Sequence, residues 1–304
     1  MPKYSILKAL FLYRISVYML LMKLKLNLAA ALFTLVYGCS TLQTIPLEEL
    51  ADSPMGAPAQ FFYDSAGGRA EGYLIRPEGK GPFPLVVLLH GHSWRGEGAS
   101  RLLPVAKQLS TELCYASLAV SLPGYGLTEI PGDKDDRETI SRVVLDGIAT
   151  VGKLPWVDQK DVMLYGFSRG AVFAATLAGK VQNLHGVILH SGAYDLPRLY
   201  NETSALWIRR ALNPNGEVNP HLFSILPEVS DWKAPTLILH GGNDQLVPAN
   251  QAYLLRDRLD ALKKPYHFAI FPGAGHRLPL DGVHHEVLSF LTENLGSACR
   301  ANGP

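Results

Sequence analysis

Residues 161–177 read DVMLYGFSRGAVFAATL: an apolar run of strand character, the pentapeptide Gly166-Phe167-Ser168-Arg169-Gly170, and an apolar run of helix character. A glycine on each side of Ser168 lets a strand pass into a helix within one tight turn, because neither flanking position brings a Cβ into the bend. Such a turn lifts the serine hydroxyl above the carboxyl edge of a sheet. It also requires a strand followed at once by a helix, the repeating unit of layered α/β folds.

The remainder of the chain repeats that unit. Strand-like runs EGYLIRP, PLVVLLHG, CYASLAVSL, HGVILHS, PTLILHG and YHFAIF alternate with helical patterns near 100–110, 136–152, 169–180, 249–262 and 283–294. This alternation predicts an α/β fold with a mostly parallel central sheet and helices on both faces. A chain of 304 residues with 47% hydrophobic content can bury the core of one such domain, expected over 61–295 with a flexible tail at 296–304. One interval breaks the rhythm. Residues 193–233, with Trp207, Arg209, Arg210 and Trp232, form a small cap insertion expected after the sixth strand. An insertion at the carboxyl end of a strand sits over the ligand crevice of an open α/β sheet.

The N-terminus has a different character. All five charges in residues 1–38 are basic, which leaves 23 basic and 27 acidic residues beyond them, a net of −4 that argues against nucleic acid as a partner. From Met22 the chain reads MKLKLNLAAALFTLVYGCS, the layout of a secretory signal peptide, with translation starting at Met19 or Met22. Gly38-Cys39 at its end resembles a bacterial lipobox, and Cys39 would then carry a lipid holding the protein at the outer membrane. A cleaved signal with a soluble periplasmic or secreted product, and a retained anchor, are the alternatives. Residues 39–60 read as a lipidated tether. Cys114 is expected to be a buried strand residue, and a disulfide to Cys299 is permitted by export but not suggested by position.

Ser168 needs a base, and the base needs an acid to orient it. PTLILHGGNDQLVP supplies Asp244 beyond one later strand, and YHFAIFPGAGHRLP supplies His276 beyond the next. Donors for an oxyanion are expected from the backbone N–H of Arg169, at the helix start, and of His92, after PLVVLLHG. Tyr125 and Phe167 are candidate pocket residues. Asp195 is the alternative acid. His190, His240 and His267 read as buried, satisfied histidines, the imidazoles of His90 and His92 as shaping their loop, and adjacent His284 and His285 diverge on a helix, so no metal site is expected. Arg169, Arg209 and Arg210 are candidates to attract an anionic substrate group.

HGHS, PGYGLT, GFSRG, APTLILHGGNDQLVP and FPGAGH together resemble the α/β-hydrolases, in the branch of the dienelactone hydrolases and the prolyl oligopeptidase catalytic domain. The resemblance runs from about Phe61 to Leu295. It implies a nucleophile elbow at Ser168, the triad Ser168, Asp244 and His276, and no metal or organic cofactor. Ala171 stands where oligopeptidases commonly carry a further glycine, and no propeller is read ahead of the domain. Both departures favour a serine esterase acting on a carboxylic ester over a peptidase acting on short peptides. A lipoprotein that only binds, without turnover, is a third reading.

Overall fold

The structure, a computed structural model, describes residues 43–213 and 222–295. The signal peptide, Cys39, Cys299 and the tail lie outside those residues. Among the described residues nine strands form one sheet: β1 (Gln43–Thr44), β2 (Pro58–Ser65), β3 (Gly68–Ile75), β4 (Phe83–Leu89), β5 (Ala116–Val120), β6 (Val157–Phe167), β7 (Leu184–His190), β8 (Thr236–Gly241) and β9 (Tyr266–Phe271). Their order is β1-β2-β3-β5-β4-β6-β7-β8-β9. Strand β3 runs antiparallel to β2 and β5; every other neighbouring pair is parallel.

Burial on both faces explains the sequence of the central strand. All seven residues of β4, FPLVVLL, are buried, with Leu85, Val87 and Leu89 facing one core and Val86 and Leu88 the other. The first core packs against α2 (Arg137–Val151), α3 (Arg169–Leu177) and α6 (Asn250–Ala261). The second packs against α1 (Leu103–Leu113) and α7 (Leu280–Leu295). Each fully buried leucine or valine adds roughly 2 kcal/mol, so the two cores hold the helices on opposite faces as the alternating pattern predicts.

Two expectations need correction here. The reading of 39–60 as a tether fails for its described part: Ile45 and Leu50 are buried in the main core, and Trp156 Nε1 donates to Ala51 O at 2.9 Å. A Pro- and Ser-rich stretch reads as linker, but two of its spaced apolar residues pack into the core of the domain. Cys114 is not a strand residue. It closes α1 in the left-handed conformation, with φ 56°, and it is disulfide-bonded.

The cap insertion follows β7, so it comes after the seventh strand and not the sixth. It contains α4 (Leu196–Glu202), α5 (Leu206–Leu212) and a 3-10 turn at Leu226–Asp231. Leu199 and Ile208 from the cap pack with Val172, Ala193 and Val247 in a small core of their own. Val229 and Trp232 return to the main core. No helix among the described residues is long and apolar enough to cross a membrane.

Candidate active site

Ser168 follows β6 directly and caps α3 with φ 55° and ψ −117°, a conformation that costs an L-residue about 1–3 kcal/mol. The turn is held by Ser168 N–H donating to His190 O at 2.8 Å and Ala171 N–H donating to Ser168 O at 2.9 Å. Both flanking glycines are required by close approach. A Cβ on Gly166 would stand 2.4 Å from Gly170 O, and one on Gly170 would stand 2.0 Å from Leu89 O.

Parallel strands bring the other groups to the same sheet edge. Asp244 follows β8 and His276 follows β9. His276 Nδ1 lies 2.7 Å from Asp244 Oδ2, and His276 Nε2 lies 2.8 Å from Ser168 Oγ. The second carboxylate oxygen of Asp244 accepts from the N–H groups of Leu246 and Val247, each at 2.9 Å. Burial pushes this carboxyl up, but hydrogen bonds from His240 and His276 and from the Val247 backbone outweigh it and hold it well below the usual carboxylate range. The acid is therefore ionised at neutral pH and aligned on the base, and the base touches the hydroxyl.

The loop after β4 is set by His90. Leu122 N–H donates to His90 Nε2 at 3.0 Å, so Nδ1 carries the proton and donates to Gly91 O at 2.8 Å. Burial, ahead of the nearby Arg169 and Arg101 charges, lowers the His90 pKa to about 4. The carbonyl of Gly91 and the N–H of His92 belong to one peptide plane and point opposite ways, so fixing the carbonyl fixes the donor. Gly91 lies against the nucleophile, since a Cβ there would stand 3.0 Å from Ser168 Cβ. The N–H of Arg169, first in its helix, has no intrahelical acceptor.

A cavity of about 220 Å³ opens beside Ser168. Its apolar wall comes from Val172, Phe173 and Val247 together with Leu196, Leu199 and Ile208 of the cap, and Trp207 closes one side. Tyr125 lines it, with Oη 2.6 Å from His92 Nδ1. Trp207 stacks on His92 at 5.5 Å and meets the exposed Trp94 edge-on at 5.0 Å. Lys134, Asp135 and Arg169 are its charged members, and Arg169 Nη2 pairs with Asp135 Oδ1 at 2.7 Å.

Several candidates go elsewhere. Phe167 does not line this cavity; its ring packs 4.8 Å from His190 and 5.5 Å from His276, beneath the base. Asp195 caps α4, accepting from Arg198 N–H at 2.9 Å, and so is committed to a helix start rather than to His276. Arg209 bonds to Thr203 O and Asn201 O, while Arg210 is exposed; neither lines the cavity. His190 is buried but only half satisfied: Nδ1 meets Tyr165 Oη at 2.9 Å and Nε2 has no partner among the described residues. Nδ1 of His240 is likewise without a partner among them. His267 is exposed on the edge strand β9, 3.5 Å from Glu293. His284 turns to Gln108 and Glu112.

Sequence reading missed His240 as a neighbour of the acid, although its place four residues before Asp244 was a usable signal. It also missed Lys134 and Asp135, which come from a polar loop with no motif. Glu71 was missed too. It is buried and accepts from Gln60, Tyr73, Ser121 and the N–H of Leu127, anchoring the loop that carries Tyr125.

A parallel sheet covered on both faces, with a serine at a strand-to-helix elbow and an aspartate and histidine behind it, defines the α/β-hydrolase fold. Within that class the chain belongs to the prolyl oligopeptidase family, whose model matches residues 138–298. A model for FrsA-like esterases matches residues 5–189. A Caenorhabditis elegans alpha/beta hydrolase domain-containing protein, aho-3, is 27% identical over 150 residues, covering 49% of this chain and 41% of that one. An acylaminoacyl peptidase from Pyrococcus horikoshii superposes with a TM-score of 0.65 at 20% identity, over 79% of this chain and 42% of that one. The chain thus spans less than half the length of these two. The esterase Pf2001 of Pyrococcus furiosus superposes with a TM-score of 0.65 at 14% identity, over 84% of this chain and 98% of that one. Family and fold place the chain among the α/β-hydrolases of this group.

Proposed function

We propose that the protein hydrolyses carboxylic esters through an acyl-enzyme. His276 Nε2 takes the proton of Ser168 as Oγ attacks the acyl carbon, and Asp244 holds the imidazole and balances its charge. The N–H groups of His92 and Arg169 take the oxyanion. His276 then protonates the departing alcohol, and a water activated by the same base frees the acid. The observation that carries the ester reading is the cavity: its wall is mostly apolar, and its one carboxylate among the described residues, Asp135, is already paired with Arg169. A free amino terminus would find no unpaired anion among those residues.

A peptide substrate is the second reading, supported by membership in the prolyl oligopeptidase family and the likeness to an acylaminoacyl peptidase. Export with lipid attachment at Cys39 is part of the proposal. The disulfide at Cys114 supports it, because disulfides persist in oxidising compartments. A lipidated Cys39 would leave Cys299 as the other cysteine in the chain.

The test compares wild type with Ser168→Ala on p-nitrophenyl esters from acetate to laurate and on aminoacyl p-nitroanilides. Ester turnover that the variant loses by about 10⁴-fold or more supports the proposal. Turnover of anilides alone assigns a peptidase. Equal rates for the two proteins on every substrate would leave a binding protein on a hydrolase fold.

A further inference from the structure

Glu71, on β3, is a buried carboxylate that the proposed mechanism does not use. Four donors converge on it. Gln60 Nε2 donates to Oε1 at 2.6 Å and Tyr73 Oη at 2.9 Å, while Ser121 Oγ donates to Oε2 at 2.6 Å and Leu127 N–H at 3.1 Å. The backbone of Glu71 holds the same loop, since Ser121 N–H donates to Glu71 O at 3.0 Å and Glu71 N–H donates to Thr128 Oγ1 at 3.0 Å. One residue thus grips residues 121–128 at both ends.

The middle of that loop reaches the N–H of His92 by two routes. Leu122 N–H donates to His90 Nε2, and His90 Nδ1 donates to Gly91 O, whose peptide carries the N–H of His92. Tyr125 Oη meets His92 Nδ1 at 2.6 Å and holds the side chain of that same residue. The loop is also tied to the segment after β4, because Gly126 N–H donates to Gly96 O at 2.7 Å and Ala99 N–H donates to Ser121 Oγ at 2.9 Å.

The fit is tight. A Cβ on Gly126 would stand 2.0 Å from Glu71 Oε2, so the turn that carries Tyr125 is pressed onto the carboxylate. Hydrogen bonds to a carboxylate are shorter and stronger than those between neutral groups, and an oxyanion donor must be held to within about 0.5 Å of its working place.

We propose that Glu71 is a positioning residue for the oxyanion donor: by clamping residues 121–128 it holds His90 and Tyr125, and through them it aims the N–H of His92. It touches no substrate. The inference rests on the serine-hydrolase reading with His92 as a donor, and it holds for an ester or a peptide substrate alike.

Glu71→Gln is the discriminating change. Each carboxylate oxygen faces an N–H, from Gln60 on one side and from Leu127 on the other, so the amide of the variant sets its own NH2 against a donor in either orientation. Rates are measured on p-nitrophenyl esters and aminoacyl p-nitroanilides, per active site titrated with a fluorophosphonate, so that protein lost to misfolding does not count as a catalytic loss. Wild-type protein that turns over neither substrate removes the hydrolase reading and the inference with it; with active wild type, the variants judge the inference alone.

The expected result is a kcat per site about thirtyfold lower with KM within about twofold, part of the roughly 10²–10³ that loss of an oxyanion donor costs. Tyr125→Phe cuts one of the two routes and should lower kcat about fivefold. The double variant should lose no more than about twofold beyond Glu71→Gln, because both changes act on one N–H. An unchanged kcat per site in Glu71→Gln, a loss confined to KM or to the number of titrated sites, or losses that multiply in the double variant overturn the inference. If Glu71→Gln shows no cooperative thermal melt, Ser121→Ala takes its place, removing one donor and leaving the carboxylate. A kcat per site about fivefold lower is then expected, and one equal to wild type counts against the inference.

Discussion

His240 Nε2 stands 3.5 Å from Asp244 Oδ2, the oxygen that also takes the 2.7 Å bond from His276 Nδ1. The same His240 nitrogen lies 2.8 Å from Val247 O, so one buried imidazole ties the acid to the turn that follows it. His240→Gln should loosen the acid without touching the substrate. The expected outcome is a kcat about tenfold lower, some 1.4 kcal/mol of transition-state stabilisation, with KM little changed. Steady-state kinetics on a p-nitrophenyl ester check it; an unchanged kcat would remove His240 from the positioning of Asp244.

The elbow glycines give a stability prediction. A Cβ at position 170 would meet Leu89 O at 2.0 Å, against the backbone of the central strand, which cannot yield cheaply. Gly170→Ala should lose about 3 kcal/mol, read from urea unfolding, whereas Gly273→Ala, with nothing within 4 Å, should stay within about 0.5 kcal/mol of wild type. Similar midpoints for the two variants would show that the elbow is not tightly packed.

Buried histidines set the acid side of stability. Burial lowers the His90 pKa to about 4 and the His190 pKa to about 3, from an ordinary 6.5. The fold favours the neutral rings, so the unfolded chain binds more protons below that ordinary value. Their contribution is fully present above about pH 6.5 and is lost as pH falls toward about 4 for His90 and about 3 for His190. Each should remove up to about 1.4 kcal/mol per pH unit in that window. Urea melts at pH 7 and about pH 5 should therefore differ by roughly 4 kcal/mol, with His190→Gln removing about half of the difference. A flat profile would mean that water reaches these rings.

Trp207 tests the cap as a selector. It comes from α5, stacks on His92 and closes the cavity beside Ser168. Trp207→Ala should move the acyl-length preference toward longer p-nitrophenyl esters and raise KM for the short ones by about tenfold, the scale of one lost aromatic wall. An unaltered length profile would place selection elsewhere.

How legible this protein was depends on the reach of the interaction concerned. The alternation of apolar strands and helices, the elbow at Ser168 and the order serine, aspartate, histidine are local patterns with fixed offsets, and they could be read directly. Residues 43–60 were misread because Ile45 and Leu50 are too sparse to signal an element; what holds them is a distant surface at Trp156. Cys114 was misread because the chain turns left-handed one residue after α1, a choice made by the helix end rather than by the apolar run that follows.

The sequence by itself determined the sheet, the two-sided core and which serine, aspartate and histidine to look for, since these follow from periodicity, from a turn that only glycine permits and from the order of the strand ends. Only the tertiary structure decided what surrounds them. His240 beside Asp244, the Arg169–Asp135 pair and the wall of Trp207 come from loops and a cap far apart in the chain. Their side chains meet because parallel strands deliver every such loop to one edge, and that convergence has no period in the sequence.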